Sequence, residues 1–256
     1  MGERPIRKVE LPPDVIVGKN AVTEALKSGI GVNRLQLAKG SSFAAEIIDM
    51  AKSRGAIVEY VPRETIDKTA AGFKHQGILA HIAPIAFCDI DDVLAAAQKR
   101  GEPPLLVVLD EIEDPHNVGA ILRSAEAAGA HGILIPKRRS AAVGATVAKT
   151  SAGALFHVPL VKIGNVARTL AELKERGLWV FGADAEGAED FHAADWRRAA
   201  VLVIGGEGSG MSRVVRRECD FLVKIPMRGK VNSLNASAAA AILLFEAISQ
   251  RQRKND

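Results

Sequence analysis

The sequence predicts an α/β protein of two units, the second built on a parallel sheet with helices on both faces. Three observations carry this. Short apolar runs alternate with helical stretches along the chain, the pattern of strand–helix–strand units. Leu105 to Leu109 is apolar without interruption, as a strand covered on both faces must be. Gly101, Pro103 and Pro104 punctuate the chain between the two halves.

The elements follow in order. The first dozen residues, through Pro12 and Pro13, read as a loose arm. Val15 to Val17 is a short strand, and Ala21 to Lys27 is helical with Asn20 in position to cap it. Arg34 to Leu37 is a strand, Phe43 to Ser53 a helix ended at Gly55, and Ala56 to Val61 and Gly77 to Ile82 are strands. These form a unit over 14–86. A stretch over 87–102 links it to the second unit, with a helix from Asp89 to Arg100 on the spacing of Val93, Leu94 and Ala97.

The second unit spans 103–252. After Leu105 to Leu109 come a helix from about Asn117 to Ala128, a strand at Gly132 to Ile135 and a short helix at Thr146 to Ser151. A strand near Val158 and a helix at Ala167 to Arg176 follow, then strands at 178–181, 201–204 and 221–225. The last helix runs from about Asn235 to Arg251, and Ala236 to Ile248 is apolar almost all round, so it is buried in the core or in a subunit interface.

Composition narrows the function classes. Of 256 residues, 48% are apolar and 25% charged, which excludes wholesale disorder. The net charge of +4 is compatible with a nucleic-acid partner, while 4% aromatics argue against a platform of stacked rings. Cys88 and Cys219 stand far apart without a CxxC pair, which excludes a zinc ribbon and points to two buried reduced thiols. The histidines are scattered and no HExxH occurs, so no metal site is expected. No run approaches a membrane span, and Met1 to Glu10 has no apolar signal core; a cytoplasmic protein is expected.

Three clusters carry candidate chemistry. The first, Asp114 to Ala125, follows a buried strand and opens a helix, where ligands bind in open α/β sheets. Asn117 can cap that helix, and Arg123 beside the apolar stripe reads equally as a solvated, snorkelling arginine or as a functional cation. The second, Ile204 to Met211, has four glycines in six positions, more than a plain turn needs. Its spacing is neither a dinucleotide fingerprint nor a P-loop. The third, Ile225 to Ser237, ends a strand and opens the last helix. Ser233, Asn235 and Ser237 there can each be a simple cap.

Together, in this order at three strand ends, the clusters resemble those of the SpoU/TrmH family of SPOUT RNA methyltransferases. The resemblance extends over the chain. Residues 14 to about 86, with Gly18-Lys19-Asn20-Ala21-Val22 and His75-Gln76-Gly77-Ile78, resemble the RNA substrate-binding domain of the RlmB-type branch, which 2′-O-methylates a guanosine in 23S ribosomal RNA. Residues from about 103 resemble its catalytic domain.

The resemblance implies a sheet domain with a deep trefoil knot, S-adenosyl-L-methionine as methyl donor, no metal, and a homodimer packed partly through the last helix. It maps the donor site to Gly205, Ile225 and Leu234, with Met227 and Gly210 nearby. It maps the catalytic arginine to Arg123 and the supporting polar positions to Asn117, Glu207, Ser233 and Asn235. Asn232 and Ala236 depart from the family, whose members often carry a small residue and Val there.

The chemistry needs a ribose 2′-oxygen aligned with an electrophilic methyl, and a fate for the hydroxyl proton. A guanidinium, with a pKa above about 12, is a poor base but a good cation for a developing alkoxide and its neighbouring phosphate. Two alternatives share these motifs: a tRNA 2′-O-methyltransferase, and a non-catalytic RNA-binding or ribosome-assembly factor of the same fold.

Overall fold

The computed structural model describes residues 11–43, 45–208 and 210–253. They fall into two compact units: residues up to 85 together with 143–156, and 86–142 with 157 onward. Met1 to Glu10 of the expected arm lie outside the described residues. Leu11, also assigned to that arm, is buried against the first core.

The first unit contains β1 (Val15–Val17), α1 (Lys19–Ser28), β2 (Val32–Ala38), α2 (Ala45–Ser53), β3 (Ile57–Val61), α3 (Arg63–Ala70) and β4 (Ile78–Ile82). The sheet order is β1–β4–β2–β3, antiparallel at β4 and parallel between β2 and β3, which α2 connects. Gly18, at φ 94°, precedes α1 as its N-cap residue, and Asn20 is already inside the helix. A side chain at Gly18 would be strained, whereas Asn20 is exposed and its capping role passes to the backbone turn. α3 escaped the sequence reading because only Ile66 and Ala70 of its eight residues are apolar.

The second unit opens with α4 (Ile90–Arg100), β5 (Leu105–Asp110), α5 (Pro115–Ala127) and β6 (Gly132–Pro136). After α6 (Ala145–Thr150), it continues with β7 (Leu160–Ile163), α7 (Val166–Glu175), β8 (Trp179–Ala183) and β9 (Glu189–Asp190). It ends with β10 (Ala200–Gly205), α8 (Arg213–Glu218), β11 (Phe221–Lys224) and α9 (Ala236–Gln252).

Two boundaries differ from the sequence reading. The stretch 87–102 is no free linker: α4 begins in a capping box between Asp89 and Asp92, and its Val93 packs in the core of the second unit. The segment 143–156 follows β6 in sequence but packs with the first unit. Ala145 joins that unit's core, and a Cβ on Gly153 would lie 2.4 Å from Cβ of Glu24.

The seven-stranded sheet runs β7–β6–β5–β10–β8–β11–β9, and every pairing in it is parallel. Alternation along β5 explains its unbroken apolar run. Leu106 and Val108 join the core beneath α4, α7 and α8, while Leu105, Val107 and Leu109 are buried on the other face, where α5 and α9 pack together. The strand order switches direction between β5 and β10, and their carboxyl ends meet at the pair Asp110 and Gly205.

Arg251 clasps the end of α9 to this sheet. It donates to the carbonyls of Pro103, Pro104, Trp196 and Arg198, at 2.6 to 3.0 Å. Burial lowers its pKa to about 10, so it keeps its charge at neutral pH. Cys88 and Cys219 are free thiols, each partly rather than fully buried.

Candidate active site

The three clusters converge beyond the carboxyl ends of β5 and β10. α5 starts with Asp114 as its N-cap, whose carboxylate accepts the His116 N–H, and Pro115 fills the first turn. The predicted cap, Asn117, is therefore one turn inside the helix, and its side chain is free for another task. It is buried, and its Nδ2 donates to Glu207 Oε1 at 2.9 Å.

Asn235 closes the ring. Its Nδ2 donates to Asn117 Oδ1 at 2.9 Å and to Glu207 Oε1 at 2.5 Å. Its Oδ1 accepts from the N–H groups of Ser237 and Ala238, capping α9. One residue from each cluster thus joins a single hydrogen-bonded triad. A carboxylate that accepts from two amide donors is held in one orientation at the mouth of the glycine loop.

That loop is closed on itself. Gly206 pairs with Gly210, whose N–H donates to the Gly206 carbonyl at 3.0 Å. A Cβ on Gly205 would lie 2.3 Å from the carbonyl carbon of Gly210 and from the Met211 nitrogen. A Cβ on Gly206 would lie 2.5 Å from the Glu111 carbonyl oxygen. These two glycines are required by backbone meeting backbone.

The other expected residues do not join these hydrogen bonds. Arg123, six residues beyond Asn117 on α5, is exposed and has no hydrogen bond or ion pair among the described residues. Ser233 is exposed, Ile225 is half-buried, and Met227 and Leu234 expose their apolar side chains. Gly210 is exposed in the left-handed region at φ 65°. No group of three metal-binding side chains occurs among the described residues.

Comparison with known proteins fixes the lineage. Residues 104–245 match the SpoU rRNA Methylase family, and residues 15–88 match the RNA 2′-O ribose methyltransferase substrate-binding family. The chain belongs to the SpoU family of RNA methyltransferases. A Bacillus subtilis protein assigned to the TrmH family of tRNA/rRNA methyltransferases is 48% identical over 240 residues, 93% of this chain and 96% of its own length. The SpoU methyltransferase AviRb from Streptomyces viridochromogenes, crystallised with AdoMet, superposes with a TM-score of 0.80 at 26% identity. That match covers 94% of this chain and 91% of AviRb. A TrmH/SpoU tRNA-modifying enzyme from A. aeolicus is 28% identical with a TM-score of 0.54, over 63% of this chain and 84% of its own.

Within this SpoU fold the sequence reading missed Asp110. It is buried at the end of β5, and its carboxylate accepts the Ser212 N–H at 2.7 Å, pinning the exit of the glycine loop to the strand beside it. An acid ending a run of five apolar residues was the available signal. The neighbouring Glu111 has φ 58° and binds Arg139 at 2.7 Å. Below the loop, Met211 is buried against Cys219, and burial pushes that thiol's pKa up to about 12.

Proposed function

We propose that this protein transfers a methyl group from S-adenosyl-L-methionine to the ribose 2′-hydroxyl of a guanosine in 23S ribosomal RNA, acting as a homodimer. The observation that carries the reading is the triad of Asn117, Glu207 and Asn235. It gathers one residue from each cluster beside a closed glycine loop, in a chain whose relatives methylate RNA.

The residues present fit the donor. Met227 and Leu234 expose their apolar side chains, and a Cβ on Gly208 or on Gly229 would meet nothing within 4 Å, so both segments have open space for a ligand. Backbone from Gly205 to Gly210 and from Ile225 to Leu234 would hold it there, and AviRb was crystallised with AdoMet in the same fold. When bound, S-adenosyl-L-methionine supplies a methyl on a positively charged sulfur, and no metal is needed to activate it.

The chain's own residues then divide the work. The triad fixes the loops that face each other across the site. Arg123, charged and uncommitted, meets the ribose and its phosphate, where it stabilises the alkoxide that develops as the 2′-oxygen attacks. Ser233 adds a hydroxyl donor at the rim.

The dimer reading rests on α9. Its Ala240, Leu243, Leu244 and Ala247 are buried within the chain, yet Ile242 and Phe245 remain exposed on the same helix. The ribosomal substrate is supported by the family description over 104–245 and by the A. aeolicus tRNA enzyme, whose match leaves more than a third of this chain uncovered. An RNA substrate also agrees with the expected cytoplasmic location.

The deciding experiment maps 2′-O-methylation across 23S rRNA and tRNA with and without the gene, then repeats transfer in vitro on a transcript carrying deoxyribose at the mapped nucleotide. Loss of one 2′-O-methyl guanosine from 23S rRNA, and no transfer to the deoxy substrate, is expected. A methyl lost from tRNA, or found on a base nitrogen, overturns the assignment.

A further inference from the structure

The first unit, matched to the substrate-binding family, carries a second concave site whose residues have no assigned role. An open pocket of about 310 Å³ lies between α3 and the loop 72–76, walled by Arg63, Asp67, Phe73, Lys74 and His75. Its floor is rigid. His75 is buried, its Nδ1 accepts the Gly77 N–H at 3.0 Å, and its Nε2 faces Asp67 Oδ1 at 2.7 Å. The acceptor role of Nδ1 makes Nε2–H the donor, so one oxygen of the pocket's only acid is already used.

The loop is also held in a costly conformation. Ala71 and Gln76 are in the left-handed region at φ 50° and 56°, each followed by a positive-φ glycine, Gly72 at 84° and Gly77 at 78°. Side chains other than glycine persist there only where the surroundings enforce them, and such strain gathers at binding sites. Gln76 is enforced by its own Oε1, which accepts the Lys19 N–H at 3.1 Å.

The cations outnumber the pocket's one acid. Arg63 and Lys74 are exposed and form no ion pair among the described residues. Lys149, from the segment 143–156 that folds with this unit, stands over the Phe73 ring at 4.8 Å. That ring face is therefore closed to a stacking base. Burial, and then the charge of Lys74, lowers the pKa of Lys149. Arg63, Lys74 and Lys149 outnumber the one carboxylate of the pocket, Asp67, which His75 already engages, and this excess of positive charge favours an anion.

We infer that this pocket, resting on the proposed function, grips backbone phosphates of the RNA substrate through Arg63 and Lys74. It anchors the RNA strand while reading no base, as phosphate contacts do. The partner chemistry is a phosphodiester chain.

The test measures binding of a 23S rRNA transcript to the full-length protein across a potassium chloride series, for wild type, Arg63→Ala/Lys74→Ala and the remote surface variant Lys52→Ala. Each lost phosphate contact should reduce the slope of log affinity against log salt by about 0.7. The double variant should also raise the KM for RNA about tenfold, leaving kcat and S-adenosylhomocysteine affinity unchanged, and Arg63→Lys/Lys74→Arg should recover most of the loss. Lys52→Ala should change none of these.

Wild-type protein that neither binds nor methylates RNA overturns the proposed function and this inference together. If the wild type methylates RNA but the double variant keeps its salt slope and KM, or Lys52→Ala loses as much, the pocket assignment alone falls.

Discussion

Asn235 donates a hydrogen bond to Asn117 from 118 residues further along the chain, at 2.9 Å, while the opposite atom of the same side-chain amide caps α9. Helix cap and active-site tether are one residue. Asn235→Ser should separate the roles, because a serine hydroxyl caps as well as asparagine but is too short to donate to Asn117 and Glu207. Methyl transfer should fall at least about tenfold while thermal stability stays within a few degrees. Asn235→Ala should lose transfer and, with the cap, a further ~1 kcal/mol of stability. Calorimetric melting beside a methyl-transfer assay reads both; equal effects of the two variants on stability would contradict the separation.

Two glycines of one loop should respond differently to alanine. At Gly205 the added carbon meets backbone of Gly210 and Met211 at 2.3 Å, so the loop must open and S-adenosylhomocysteine binding should vanish. At Gly208 the carbon meets nothing, and only its φ of 85° resists, at about 1 kcal/mol. Isothermal titration of both variants checks the order.

Arg123→Ala should lower kcat about a hundredfold or more and leave the melting temperature unchanged, because the exposed guanidinium has no partner among the described residues. Cofactor affinity should not move. Near-normal turnover would remove Arg123 from the chemistry whatever its family position.

A charge on α9 tests the dimer only at the right residue. Leu244 is fully buried within its own chain, so Leu244→Glu would report on folding. Phe245, half-exposed, is the sharper probe. Phe245→Glu should give a folded monomer by light scattering where the wild type is a dimer. A wild-type monomer at micromolar concentration would refute the dimer.

His131 predicts a pH dependence. Its burial lowers its pKa below the usual 6.5 against the opposing pull of Glu102, while its Nδ1 accepts the Leu105 N–H. The folded state keeps the ring neutral, and the unfolded chain takes up the proton. The contribution is therefore complete above about pH 6.5 and is lost as pH falls toward the folded-state pKa. Urea unfolding at a series of pH values should show this loss in the wild type and a flatter curve in His131→Asn.

Much of this was legible in the linear chain. The unbroken run Leu105 to Leu109 announced a doubly covered strand, glycine and polar clusters marked the three strand ends, and their order carried the family. Composition and punctuation suffice for such features because burial and turn geometry act locally on residue type. α3 stayed hidden because Ile66 and Ala70 are the only apolar residues among its eight, too few to draw a stripe.

Tertiary structure decided the rest. Asn117 reads as a cap in the sequence, but Asp114 takes that role and frees Asn117 to meet Glu207 and Asn235, 90 and 118 residues away. Gly205 reads in the sequence as one of four loop glycines, and only the fold shows that its missing side chain makes room for Gly210. The segment 143–156 reads as part of the second unit, but it packs with the first, where Ala145 joins the core. In each case the deciding partner is distant in sequence. Local propensity fixes what a segment can form; only the packed chain fixes which distant group it must satisfy.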